Sequence, residues 1–139
     1  MSNAFELAEH AAQVIREKSG INSHEIALCL GSGWLKTLSG KIVWSTSAAE
    51  IPGFRSAEVE GFSDQICSIQ LESGKHALVL GARTHYYEGH GVRRVAHGVR
   101  TAAATGVKTM ILTNGAGGIK ETWKPGTPVL ISDHINLTA

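Results

Sequence analysis

The stretch IALCLGSG, residues 26–33, decides the fold that we expect for this 139-residue chain. Its first five residues are all apolar, and the run ends in Gly31-Ser32-Gly33. An apolar run this short, bounded by glycines, predicts a β-strand that is buried on both faces. Strands of this kind are typical of parallel sheets covered by helices, so we expect an α/β fold with the glycine-serine-glycine turn at a strand exit.

Amphipathic helices are predicted on both sides of this strand. Residues 3–18 place apolar side chains at helical spacing, with Asn3 as the N-cap and Gly20 as the stop. Residues 91–105 carry valines and alanines on one face and end at Gly106. The arginines of this second helix fall on the opposite face, which we interpret as solvated.

Further strands are predicted from short apolar segments, which lie near Lys41–Ser45 and at 65–71, 76–82, 109–113 and 128–131. The segments 65–71 and 76–82 flank a short turn that contains Gly74, a pattern typical of a β-hairpin. Together these elements predict a mixed, largely parallel central sheet flanked by helices. The chain stops soon after the last predicted strand, so we expect this sheet to be truncated.

The composition limits the classes of function. Hydrophobic residues are 42% of the chain and charged residues 18%, which is enough apolar material for one buried core and excludes a disordered chain. A net charge of +1 gives no electrostatic reason to expect nucleic acid or a membrane as partner. Cys29 and Cys67 lie in apolar runs and predict buried thiols, not a disulfide or zinc site. We expect a cytoplasmic protein without a metal.

Three segments at predicted strand exits carry the residues that could do chemistry: Gly31-Ser32-Gly33, Arg83-Thr84-His85 and 114–118. The glycines expose backbone N–H groups, and the arginine and histidine, two apart in an extended segment, point to one side. Strand exits of parallel sheets line ligand crevices, so the three segments together predict an anion pocket, most simply for phosphate.

Other interpretations of these residues stay open. The Gly-Ser-Gly segment alone fits a plain turn with an exposed serine. Arg83 could instead be a surface residue paired with Glu88, and His85 could pack under Tyr86. His85 and His90 make a weak candidate for a metal site, because no carboxylate lies at ligand spacing. Asp133 and His134 make a weak acid–base pair, because adjacent residues on a strand face opposite ways, so a structural role is favoured.

Four motifs resemble the trimeric purine nucleoside phosphorylases in order and spacing: LGSG at 30–33, GARTHYYEG at 81–89, TNGAGG at 113–118 and ISDHINLTA at 131–139. The resemblance implies a phosphorylase/hydrolase-like fold, of which residues 1–139 form the N-terminal part of a single domain. It also implies a pentosyltransferase of purine salvage. Inorganic phosphate, without a cofactor, would attack C1′ of inosine, guanosine or their 2′-deoxy forms, releasing free base and (deoxy)ribose 1-phosphate.

The resemblance also implies roles for particular residues. Catalysis would fall to Arg83 and His85. The implied phosphate contacts are Ser32, Arg83, Thr84, His85 and the backbone of Gly115, and the implied ribose and base contacts are Tyr87, Ala116 and Gly117. The oligomer would be a homotrimer.

Three departures from the family pattern matter. Phe62 stands where the family usually has a phosphate-contacting histidine, and Trp34 replaces a smaller apolar residue. The family chain also continues well past the position of Ala139, where the residues that read the purine lie. We therefore expect these 139 residues alone to be inactive. The alternative hypotheses are a non-catalytic phosphate- or nucleoside-binding domain and, with least support, a folded remnant that serves assembly.

Overall fold

The computed structural model describes residues 3–31, 38, 40–55, 64–81 and 83–137. In these ranges one sheet has the strand order β2-β3-β4-β1-β5. The strands are β1 (Ile26–Cys29), β2 (Lys41–Ser47), β3 (Gln65–Gln70), β4 (His76–Leu80) and β5 (Thr109–Leu112). The helices are α1 (Ala4–Ser19), α2 (Val92–Val95) and α3 (His97–Ala104), and single 3₁₀ turns cover Ala48–Glu50 and Tyr86–Glu88.

Strand direction confirms the mixed, largely parallel sheet. β1 pairs in parallel with β4 and with β5, whereas β3 pairs antiparallel with β2 and with β4. Four strands therefore run the same way and β3 runs against them, as the predicted hairpin of β3 and β4 requires. Cys29 lies opposite Leu80 of β4 on one side and Leu112 of β5 on the other. The carboxyl ends of these three strands therefore lie side by side at one end of the sheet.

Helix α1 begins and ends where its capping residues predict. The Asn3 side chain accepts a hydrogen bond from the Phe5 N–H, and the Asn3 N–H donates to the Glu6 carboxylate at 2.9 Å, which completes a capping box. Gly20 adopts the left-handed conformation (φ 71°), and its N–H bonds the carbonyl of Arg16. The sequence thus fixes both ends of the helix locally.

Strands β3 and β4 are buried on both faces, whereas β2 and β5 are largely exposed. Side chains alternate along β4, so Leu78 and Leu80 pack toward the helices while Ala77 and Val79 face the other side. The helix-covered core includes Ile15 of α1 and Ala102 of α3. Cys29 and Cys67 are buried free thiols, as predicted, and burial raises the pKa of both.

Two predicted elements differ from the structure. Residues 128–131 form no strand: Leu130 is 98% exposed, and this segment has no neighbouring strand among the described residues to complete its hydrogen bonds. The predicted helix 91–105 is interrupted at Ala96, which leaves the α-helical region (φ −85°, ψ 1°). Downstream of the break, the buried residues of α3 are His97, Thr101 and Ala102 and not the predicted valine face.

A buried histidine links the amino end of β1 to β3. His24 is 1% exposed, and its Nε2 atom is hydrogen-bonded to the Ser68 hydroxyl at 2.8 Å. Burial, with a smaller contribution from nearby His76, lowers the pKa of His24 to about 4. Protonation of this side chain therefore works against the folded state.

We expect the free energy of unfolding to fall as the pH decreases from about 6.5 to about 4. In this range the unfolded chain binds a proton at His24 that the folded chain does not, so stability rises with pH. The two pKa values correspond to roughly 3 kcal/mol for this residue. Urea unfolding of the wild type and His24→Gln between pH 4 and 7.5 measures the effect. A His24→Gln profile as steep as the wild type would contradict this assignment.

Candidate active site

A cavity of about 580 Å³ lies at the edge where β4, β1 and β5 end. Its floor is formed by strand-end side chains, Cys29, Leu80, Met110 and Leu112, and its walls by the segment after β4 and the α2–α3 region. A volume of this size is typical of small-molecule sites. Parallel pairing thus places a ligand-sized space at the ends of these three strands.

Arg83 is held at the edge of this cavity by a backbone carbonyl. Its Nη1 atom donates to the carbonyl of Thr113 at 3.0 Å, and its Nη2 lies 3.7 Å from the position that a Cβ on Gly31 would occupy. The Nε atom is buried and has no hydrogen-bond partner among the described residues. The guanidinium is therefore fixed on one side, and the hydrogen-bonding capacity of its buried Nε atom is unsatisfied by the described residues.

His85 lines the same cavity as Arg83 and Thr84. Its backbone is extended (φ −93°, ψ 149°), and its ring stacks on that of Tyr87, with centroids 4.9 Å apart and planes 11° from parallel. The Glu88 carboxylate accepts a hydrogen bond from the His85 N–H, where the alternative interpretation paired Glu88 with Arg83. The His85–Tyr87 stack replaces the proposed packing under Tyr86.

The glycine-rich segment after β5 contributes to the cavity through Asn114. Gly115, Ala116 and Gly117 are exposed, and a Cβ built on either glycine would meet no atom within 4 Å. The structure does not bring these three residues, or Tyr87, into the cavity lining. Ser32 lies outside the described residues.

Comparison with known proteins gives the family. Residues 25–139 match the model of the phosphorylase superfamily. The chain belongs to this superfamily. Among the relatives, the purine nucleoside phosphorylase of Cellulomonas sp. is 53% identical over 144 residues, which cover 99% of this chain and 51% of that protein. The Mycobacterium tuberculosis purine nucleoside phosphorylase is 47% identical, with 96% and 50% covered.

Solved structures agree on the superfamily fold. A Schistosoma mansoni purine nucleoside phosphorylase in a complex with BCX-34 superimposes with a TM-score of 0.70 at 30% identity, covering 89% of this chain and 45% of that one. A purine nucleoside phosphorylase in complex with ribose-1-phosphate gives a TM-score of 0.70 at 29% identity, with 89% and 46% covered. The chain spans about half the length of the relatives it matches.

The cavity of this superfamily member contains residues that the sequence analysis did not assign to it. Arg94, predicted on a solvated helix face, lines the cavity, as do Val95 and Val99. Of the predicted valine face, Val95 and Val99 are partly exposed and line this open space. The sequence signal that could have indicated this wall of the cavity is an arginine beside an apolar helix face.

The charge of the lining has one sign. Among the described lining residues, Arg83 and Arg94 are the charged ones, so an anion entering here meets no carboxylate of the lining.

The described residues also contain no group of three His, Cys, Asp or Glu able to hold a metal ion. In the same part of the chain, no helix has the length and apolar character needed to span a bilayer. The departures from the family pattern at Trp34 and Phe62 lie outside the described residues.

The wall of the cavity opposite the strands depends on a close backbone approach at Gly53. His97, 5% exposed, donates from Nε2 to the carbonyl of Pro52 at 2.9 Å, and its ring packs against Phe54 with centroids 4.7 Å apart. Burial lowers the pKa of His97 despite that hydrogen bond. A Cβ on Gly53 would lie 2.5 Å from His97 Nε2 and 2.9 Å from Leu7 Cδ2.

Gly53→Ala should destabilise the protein more than Gly74→Ala does. Both glycines have positive φ (81° and 78°), so both substitutions cost about 1 kcal/mol or more of backbone strain. Only Gly53 adds a steric overlap, which overpacking data put at a further 1–3 kcal/mol, roughly. Urea unfolding of the two variants compares them directly. Equal losses would show that His97 and Leu7 move aside freely.

Proposed function

We propose that this chain provides the phosphate-binding part of a purine nucleoside phosphorylase. In the proposed reaction a phosphate oxygen attacks C1′ of a purine nucleoside such as inosine or guanosine. The C1′–N9 bond breaks, the purine leaves with the bonding electrons and takes up a proton, and the sugar becomes (deoxy)ribose 1-phosphate. The observation that carries the proposal is Arg83, fixed by the Thr113 carbonyl with a donor still unpaired, in a cavity whose described lining has no carboxylate.

Phosphate binding is the best supported part of this proposal. A guanidinium donates charge-assisted hydrogen bonds to an oxyanion, and the Thr113 carbonyl keeps Arg83 oriented before phosphate arrives. His85 lines the same cavity and can donate a further bond. We propose Arg83 and His85 as the catalytic pair, since holding the nucleophile in line with C1′ is the main task in this reaction.

The remaining contacts are proposed from family resemblance together with local geometry. Thr84 lines the cavity beside Arg83, and we propose that its side chain and that of Ser32 join the phosphate shell. The open glycine-rich segment leaves the Gly115 N–H accessible for a further phosphate contact. Tyr87, exposed and stacked on His85, would pack on the ribose, and Ala116 and Gly117 would allow flat access for the base.

The wider properties are also proposals. Residues 1–139 would form the N-terminal part of a single nucleoside phosphorylase domain, in agreement with a match to about half of each relative. Phosphate would be a co-substrate with no cofactor. The complete protein would act in the cytoplasm as a homotrimer in purine salvage.

A chimera tests the activity. Residues 1–139 replace the matching half of the Cellulomonas sp. relative, and hypoxanthine release from inosine is measured with and without phosphate. We expect release that requires phosphate from the chimera and none from the 139-residue chain alone. Release that is equal without phosphate, or a chimera that binds phosphate calorimetrically and turns nothing over, would contradict the proposal. The second outcome would favour a non-catalytic binding domain.

Arg83→Ala in the chimera should raise the phosphate KM about 10- to 100-fold. The loss of one charge-assisted hydrogen bond, worth about 1.5–3 kcal/mol, corresponds to this range. Arg83→Lys keeps the positive charge without the planar guanidinium, so its phosphate KM should lie between those of the parent chimera and Arg83→Ala. The matched control is Arg93→Ala, an exposed arginine on α2 outside the cavity lining, which should leave the phosphate KM unchanged. An equal effect of both alanine variants would point to general charge and not to Arg83.

A further inference from the structure

We propose that the Thr113 hydroxyl is the positioning group of the phosphate site, because it joins the exits of β1 and β5 at the point where Arg83 is anchored. This inference rests on the proposed function. It assigns to Thr113 no contact with phosphate: the residue acts through the Gly31 backbone and the Arg83 side chain.

Four hydrogen bonds meet at this one residue. The Gly31 N–H donates to Thr113 Oγ1 at 3.0 Å, and Oγ1 donates in turn to the Cys29 carbonyl at 3.2 Å. The Thr113 N–H donates to the same carbonyl at 3.0 Å. The Thr113 carbonyl accepts the bond from Arg83 Nη1 at 3.0 Å. Thr113 therefore connects the starts of all three segments that the sequence assigned to the anion pocket.

The hydroxyl is not needed to pair the strands. β1 and β5 are already in register, with Cys29 opposite Leu112, and the backbone bond from the Thr113 N–H extends that pairing by one residue. The hydroxyl reaches further, to Gly31, the first residue after the apolar run. Its bonds thus fix the beginning of the Gly31-Ser32-Gly33 segment against the residue that carries Arg83.

The role requires a group that accepts and donates at once. A hydroxyl accepts from Gly31 and donates to Cys29 with one atom, whereas a methyl of the same size does neither. Replacing Thr113 by Val keeps the shape and the β-branched backbone preference but leaves the Gly31 N–H without this acceptor. Since small displacements of positioning groups are costly in catalysis, phosphate binding should weaken although no phosphate ligand is removed.

The test compares Thr113→Val and Thr113→Ser in the chimera. Thr113→Val should raise the phosphate KM about tenfold, because the groups that bind phosphate are displaced, and leave the inosine KM within about twofold. Thr113→Ser restores the hydroxyl and should return the phosphate KM to the parent value. The phosphate Kd of each protein, measured by calorimetry, should follow the same order.

A matched control separates positioning from stability. Thr105 lies at the carboxyl end of α3, is 1% exposed, and donates from Oγ1 to the Ala102 carbonyl at 2.8 Å. Thr105→Val removes a comparable hydroxyl outside the cavity and should lower the midpoint of urea unfolding without changing the phosphate KM.

The outcomes distinguish the two proposals. A Thr113→Val phosphate KM equal to the parent value, or shifted no more than in Thr105→Val, overturns the positioning role. A parent chimera that binds phosphate without cleaving inosine overturns the proposed function, and the Kd series then decides on Thr113. A parent chimera that binds no phosphate overturns both.

Discussion

The parallel pairing of β1 with β4 and with β5 is the constraint on which the site depends. Parallel strands end at the same edge, so residues that are about 30 and 50 positions apart in the chain come together: Gly31, Arg83 and Thr113. The hydrogen bonds among these residues are made just beyond the last paired residues. The sheet thus supplies a rigid base, and short segments after the strands supply the chemistry.

Local signals in the sequence predicted the elements whose causes are also local. The Asn3 capping box and Gly20 fix α1, and the Gly74 turn fixes the hairpin of β3 and β4, because each depends on residues a few positions apart. The buried strand Ile26–Cys29 was predicted by its uniform apolar character. For the site, the spacing predicted that Arg83 and His85 converge, and both residues line one cavity; their binding of phosphate stays a prediction.

What the sequence could not predict depends on partners distant in the chain. Apolar residues at 128–131 resemble a strand, but a strand exists only where a neighbour completes its hydrogen bonds. The place of Val95 and Val99 in the cavity lining could not be predicted, because an apolar stripe has the same pattern whether it meets a sheet or an open cavity. The anchoring of Arg83 by a backbone carbonyl was likewise invisible, since a carbonyl has no signature in the sequence.

The positive charge of the cavity lining has a kinetic consequence. Arg83 and Arg94, with no carboxylate in the described lining, favour the approach of anions over a distance set by the ionic strength of the solution. Encounter with a doubly charged anion is then fastest in dilute buffer and slows as salt is added. Under the proposed function, chloride and sulfate would compete with phosphate for the same space, so the choice of buffer would alter the apparent affinity for phosphate.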